Sequence, residues 1–395
     1  MATTITGTTI DVGPNKLVAD SAGNVTASGN VTASGNVTAS GILSDPSGNV
    51  RSGRKNMVIN GAMQVAQRGT SLTGLHNNTN YLIDRFSFGG STMNGRLTMS
   101  QDSNGPAGFA NSIKLDCTTA DTNIGAGYEH YLQYRVEGKD LQQLKKGTSS
   151  AESMTLSFYV KGNAAATYTA EFYDADNNRQ NGQTFNVTTS WNRITLTYAP
   201  DTTGAYTNDN TIGVYILFWI NAGSNSRSGT FTSNTWAAAV TANRVSPSNT
   251  SFFDSTSRTL NITGVQLEVG TIASEFEQLS FGETLTLCKR YYQRLGGLAN
   301  NQPICNISVW SGADNYGVID FPHEMRTAPT ATIAGATSYT LLVDAATATS
   351  TSLVIQGITK RNCELLIRRS GAYGGGKSGW VRGTTATITE FNAEL

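Results

Sequence analysis

Residues 261–295 read NITGVQLEVGTIASEFEQLSFGETLTLCKRYYQRL, and the change of hydrophobic period inside this stretch decides the fold. The first part is strand-like. Ile262, Val265, Leu267 and Val269 mark a β-rich run, in which Leu267 and Val269 alternate with Gln266 and Glu268. A turn at Gly270 and an acidic, aromatic segment, EFEQLSFGE, follow. The period then becomes helical. Ser280 and Glu283 have the spacing of a capping box, in which hydroxyl and carboxylate each satisfy a free backbone N–H at a helix start. Leu285, Cys288, Tyr292 and Leu295 recur at helical spacing, and Gly296-Gly297 supplies a stop. The spacing therefore predicts a short linking helix over 281–297, with one β-module before it and another after it.

Working back from that stretch, residues 57–280 are dense in strand signals. In SMTLSFYV, Met154, Leu156, Phe158 and Val160 share one face; Tyr168, Ala170 and Phe172 alternate in the same way, as do Ile194, Leu196 and Tyr198. The continuous apolar run 212–220 is that of a central strand covered on both sides, and it is far too short to span a bilayer. Strands at this spacing with Asn/Gly turns predict a jelly-roll-like antiparallel β-sandwich. Its order of features, SMTLSFYVKG, then TSWNR, then a closing GVQLE strand, is similar to that of non-catalytic carbohydrate-binding modules. Residues 298–395 carry shorter strand runs and are read as a smaller C-terminal β-sandwich.

Ahead of the first module lies an internal repeat. GNVTAS occurs at 23–28, 29–34 and 35–40, with a related GNV at 48–50. One Val per six residues cannot make a core within a single chain, so such a repeat needs neighbouring copies to bury its apolar face. Residues 23–56 are accordingly read as a stalk or linker, ordered if three chains wind together and flexible if they do not. Residues 1–22 have strand propensity without a period and are read as an attachment segment that orders on docking. The cluster Arg51-Ser52-Gly53-Arg54-Lys55 reads as a solvated junction.

Composition narrows the function classes. The chain has 395 residues, with 28 basic and 28 acidic side chains and only 14% charged residues in all. A neutral chain lacks the field that holds nucleic acid by its phosphates. MATTITGTTI has neither the basic start nor the apolar core of a signal peptide. The cysteines, Cys117, Cys288, Cys305 and Cys363, form no C-x-x-C pair and read as reduced thiols.

Several segments resemble those of bacteriophage tail-fibre and related virion structural proteins. They are Asn60-Gly61-Ala62-Met63-Gln64-Val65-Ala66-Gln67-Arg68-Gly69, Gly264-Val265-Gln266-Leu267-Glu268-Val269-Gly270 with Phe276-Glu277, Cys288-Lys289-Arg290-Tyr291-Tyr292, and Phe321-Pro322-His323-Glu324-Met325-Arg326 with Ala328-Pro329-Thr330. The resemblance frames residues 57–330. It implies an all-β homotrimer on the virion, attached by its N-terminus to a phage tail adaptor or other virion protein. Its β-domains would recognise a host cell-surface glycan or protein, without catalysis, cofactor, metal or membrane insertion. A head fibre or capsid decoration protein is the alternative, and a polysaccharide-degrading tailspike a more distant one.

Site candidates follow from residue type. Gly371-Ala372-Tyr373-Gly374-Gly375-Gly376-Lys377-Ser378 satisfies the phosphate-loop pattern, but GWVRGTT after it does not read as a helix, so no helix N-terminus can cradle a phosphate. The expected contact residues are instead Trp310, Tyr373, Lys377 and Trp380, around a Gly-rich loop. Asp174-Ala175-Asp176-Asn177-Asn178 has calcium-loop spacing but lacks the Gly and the final Glu, and reads as a hairpin turn. Glu275 and Glu277 read as part of the module's closure, and His76, His130 and His323 are too scattered for a catalytic set.

Overall fold

A computed structural model describes residues 10–11, 16–19, 25–27, 44–45, 48–49 and 54–395, except residues 92, 298, 345, 372, 373, 385 and 386. The chain divides into two units, Met1–Arg51 and Ser52–Leu395. In the first, Ile10–Asp11, Lys16–Ala19 and Val25–Ala27 form a three-stranded antiparallel sheet, and Ser44–Asp45 pairs with Gly48–Asn49. The attachment segment read as having no period thus contains paired strands. The hexad repeat beyond Val25–Ala27 lies outside the described residues.

The second unit is all-β and antiparallel, as expected. One sheet of its sandwich has six strands in the order Asn192–Tyr198, Met154–Gly162, Thr259–Val269, Ser112–Thr119, Arg96–Asp102 and Ser71–Leu75. The facing sheet has seven, in the order Ala237–Ala238, Arg179–Val187, Ala166–Asp174, Ile212–Ala222, Glu129–Glu137, Phe86–Gly90 and Asn80–Tyr81. Period-2 alternation sends Met154, Leu156, Phe158 and Val160 from one sheet, and Val214, Ile216, Phe218 and Ile220 from the other, into one core. Phe158 packs edge-to-face on Phe185 and Phe218 at 5.1 and 5.0 Å. The other face of Ile212–Ala222 is also covered: Leu217 and Trp219 are buried with Val245.

The sandwich starts earlier than residue 57. Glu277 accepts hydrogen bonds from the backbone N–H groups of Lys55 and Asn56 at 3.1 and 3.0 Å, and the Lys55 ammonium donates to the Ser274 hydroxyl and Glu275 carbonyl. Lys55 is therefore part of the module closure rather than a solvated junction. Gly61 lies so close to the closing strand that a Cβ there would collide with the Val265 carbonyl.

The linking helix is shorter than its periodicity indicates. It runs over Phe281–Lys289 with the expected capping box, Ser280 and Glu283 bonding reciprocally. Tyr292 and Leu295 belong instead to strand Tyr292–Gly296, paired with Ile388–Asn392. Two gains outside the local sequence favour the strand: this hydrogen-bonded ladder, and an arginine for each tyrosine ring. The Arg85 guanidinium lies 3.5 Å from the Tyr291 ring centroid and that of Arg68 lies 3.6 Å from Tyr292.

Beyond the helix the expected smaller sandwich is a closed barrel. Its strands run in the order Gln302–Ser311, Asp314–Asp320, Asn362–Arg369, Ala346–Gln356, Thr340–Val343 and Ser378–Gly383. A three-stranded sheet, Tyr292–Gly296, Ile388–Asn392 and Thr330–Ala334, accompanies it. Alternation in a strand shows only that one face is buried; stacking on a second sheet or closing the sheet on itself satisfies it equally. Strands Thr340–Val343 and Ser378–Gly383 pair with each other to complete the ring.

Candidate functional site

Two clusters of aromatic and charged residues stand out, and they differ in exposure. The first is a groove on the outer wall of the barrel. On strand Gln302–Ser311, Ile307 and Val309 point into the barrel, which leaves Asn306, Ser308 and Trp310 outside. The same alternation turns Tyr316 and Val318 outward on Asp314–Asp320, and Ser378 and Trp380 outward on Ser378–Gly383. Register then groups them. Asn306 lies beside Trp380, Ser308 sits between Tyr316 and Ser378, and Val318 pairs with Glu364. These residues line a cavity of about 620 Å³, within the size range of small-molecule sites.

The walls of the groove are aromatic and apolar. Trp380 is 46% exposed and Val318 is 56% exposed, and the two share one concave surface. Hydroxyls and an amide, from Ser308, Ser378, Tyr316 and Asn306, lie between them. Glu364 contributes a carboxylate, one oxygen of which accepts from the Gln356 amide. Nearby charges are already paired: Arg368 with Asp314 at 2.8 Å and Lys377 with Asp344 at 2.5 Å. The Arg382 guanidinium lies over the Trp380 ring, 5.7 Å from its centroid, and is not part of the lining.

The structure thus separates the expected contact residues. Trp380 is in the groove. Trp310, 75% exposed, projects from the end of its strand and does not line the groove. Lys377 is held by Asp344 and by its own loop, which folds back so that the Lys377 carbonyl accepts from Val309 N–H. Tyr373 lies outside the described residues. Asn306, Tyr316, Val318 and Glu364 were missed. A valine in the outward phase of an alternating strand was the available signal for Val318; Glu364 joins it only through cross-strand register.

The second cluster is buried and brings the fibre-like segments together. Asn60 bridges to the Val65 and Asp84 backbone. Gln67 donates to Asp84 and to the Tyr292 carbonyl. Arg85 is ion-paired with Glu394, and Arg290 forks onto Glu137 at 2.9 and 2.8 Å, where the Tyr291 hydroxyl also donates. Arg326 donates to the carbonyls of Asn210, Ala393 and Glu394. These segments fasten the sandwich to the barrel side; they are not a binding surface.

Three perturbed ionisations, those of Asp84, His130 and Glu137, lie in the sandwich and its junction. Burial pushes the Asp84 carboxyl up to about 6 against the pull of Arg68 and Gln67. Burial also pushes His130 down to about 4, although the Ser91 carbonyl holds its ring. Burial would raise Glu137 too, but hydrogen bonds from Arg290 and Tyr291 outweigh it and leave the carboxyl below its usual value.

The other motif readings can now be placed. The strand Ser378–Gly383 follows the GGGKS loop, so no helix N-terminus stands there. Asp174 pairs with Lys146 at 2.7 Å at the mouth of a hairpin. His323 is half-buried in a turn, and all four cysteines are free thiols. Among the described residues no group of three or more His, Cys, Asp or Glu side chains is placed to hold a metal ion, and no helix is long and apolar enough to cross a membrane.

No protein-family model and no curated protein matches the chain. Among solved structures, a family 11 carbohydrate-binding module from Clostridium thermocellum, in complex with a β-1,3-1,4-mixed-linked tetrasaccharide, is similar at 10% identity and a TM-score of 0.26, over 53% of this chain and 99% of that one. A tandem pair of family 22 modules from Paenibacillus barcinonensis Xyn10C is similar at 11% identity and a TM-score of 0.26, over 87% of this chain and 98% of that one. A family 4 carbohydrate-binding module is similar at 13% identity and a TM-score of 0.23, over 43% of this chain and 77% of that one. At such scores the likeness is too loose to transfer a ligand.

Proposed function

We propose that this chain is a bacteriophage virion fibre that works by binding: a homotrimeric tail fibre, held to the particle by its N-terminus, whose barrel wall contacts a glycan on the host surface. The observation that carries the reading is the groove, where Trp380 and Val318 stand exposed around a polar floor in a protein whose other large aromatics are mostly buried. An aromatic face takes the C–H-bearing face of a sugar ring, and the surrounding hydroxyls, amide and carboxylate suit its hydroxyl groups. A shallow site of this kind binds weakly, and three copies on one fibre would compensate through avidity. The hexad repeat supports the trimer, because its sparse valines need neighbouring chains to be covered.

The test is binding of the labelled full-length protein to a panel of bacterial surface polysaccharides, compared with Trp380→Ala, together with a mass measurement in solution. Binding that falls at least about tenfold in the variant, from a trimeric protein, supports the reading. A stable monomer removes the trimer, and cleavage of a polysaccharide removes the non-catalytic role.

A further inference from the structure

A second cavity lies away from the barrel wall, beside the helix that links sandwich and barrel. Phe281, Leu285 and Lys289 fall on one face of helix Phe281–Lys289, and with residues 64–67, Gln101 and Arg294 they line a space of about 440 Å³. The buried bonds that fasten sandwich to barrel hold Gln67 and leave the cavity beside it open. From this arrangement we infer a second binding site, for a sugar that carries a carboxylate. The inference goes beyond the reading of the barrel groove and does not rest on it.

The charge of the lining is one-sided. Its titratable residues are Lys289 and Arg294, both cations. The acids around them have other partners. Glu390, opposite Arg294 in the strand register, accepts from the Tyr292 hydroxyl at 2.7 Å. Glu283 holds the Ser280 cap, Glu394 is met by Arg85 and Arg68, and Asp84 by Arg68 and Gln67. Among the described residues neither Lys289 nor Arg294 forms an ion pair. Counting Glu390 against the two of them still leaves a positive surplus.

The rest of the lining fits a sugar ring. Phe281, 57% exposed, and Leu285 offer an apolar face to the ring's C–H groups. Gln64 Oε1 and Arg294 Nε are buried without a hydrogen-bond partner, so each gains when a ligand supplies one. The amide nitrogens of Gln67 and Gln101 are already engaged, the first by Asp84 and the Tyr292 carbonyl, the second by the carbonyls of Met63 and Gln64. A sugar hydroxyl can donate to Gln64 Oε1, and a carboxylate accepts from the ammonium and the guanidinium with charge assistance. An acidic sugar brings the carboxylate, the C–H face and the hydroxyls together. A neutral sugar lacks the first, and a fatty acid lacks the last.

The experiment is calorimetric titration of the full-length protein, at neutral pH and low salt, with digalacturonic acid, its neutral dimethyl ester and octanoate. The acid should bind at least about fivefold more tightly than either of the others. Added salt narrows its lead over the ester. Lys289→Met and Arg294→Met each bring the acid towards the ester, Phe281→Ala weakens both, and Trp380→Ala changes neither. Lys289→Met decides alone if Arg294→Met does not fold. The inference is overturned if the acid does not bind, if the ester or octanoate binds as tightly, or if Lys289→Met leaves the acid's affinity unchanged. Loss of acid binding in Trp380→Ala overturns it too, by moving the ligand to the barrel groove, and leaves the groove reading standing.

Discussion

The junction between sandwich and barrel and the groove on the barrel wall use the same side chains to opposite ends. At the junction, Tyr291 and Tyr292 are buried against Arg85 and Arg68, and Glu394 and Glu137 are each met by arginine. In the groove, Tyr316, Trp380 and Glu364 stand with little of their polar capacity used inside the protein. A buried ion pair adds modest net stability, but removing one partner leaves a charge stranded in low dielectric. An exposed aromatic adds almost nothing to the fold. The junction is therefore where mutation should unfold or uncouple the protein, and the groove is where mutation should change only what it binds.

The sharpest way to break this contrast is Arg85→Met. Glu394 loses its closest ion-pair partner and keeps only Arg68 at 3.4 Å, and the Tyr134 and Tyr291 rings lose a cation. Denaturant unfolding should show a loss of about 3–5 kcal/mol; a loss under about 1 kcal/mol would mean the junction is wetter than it looks. Next comes acid. Asp84, with a carboxyl raised to about 6, binds its proton more firmly folded than unfolded, so its contribution is full below its ordinary value of 3.8 and is lost as pH rises through 6. His130, lowered to about 4, has the opposite sign: its contribution is full above 6.5 and is lost as pH falls through 4. Between pH 6.5 and 4 the two offset each other. Asp84→Asn removes the compensation, and melting curves across that window should then show stability falling by about 3 kcal/mol more than in the parent. The groups facing Asp84, namely Arg68, Glu394, Gln67 and Cys288, remain in the variant.

A smaller effect is expected at the helix start. Ser280→Ala removes the hydroxyl that caps the Glu283 N–H and should cost about 1 kcal/mol by thermal melting. Smallest of all, Trp380→Ala should leave stability within about 0.5 kcal/mol of the parent. If it destabilised the barrel by as much as Arg85→Met destabilises the junction, the groove would be part of the core and not a binding surface.

The sequence made the all-β class and the sandwich core legible because period-2 alternation is local: Met154, Leu156, Phe158 and Val160 declare their face without reference to any other strand. The capping box at Ser280 was legible for the same reason. The end of that helix was not, because Tyr292 is drawn into a strand by Ile388–Asn392, about a hundred residues away, and by arginines from another module. Barrel closure was hidden likewise, since alternation names the buried face but not what buries it. Of the groove, Trp380 was accessible from residue type and loop context. Asn306, Tyr316, Val318 and Glu364 become neighbours only once the register of several strands is set.

The order in which the barrel strands lie has a consequence for synthesis. Ser378–Gly383 seals the ring between Gln302–Ser311 and Thr340–Val343, and it is the last of the six to leave the ribosome. Until it arrives, two raw strand edges remain open to any other chain nearby. A translation product cut short before residue 378 would therefore tend to clump rather than persist as a soluble fragment, while the sandwich ahead of it has all its strands in hand.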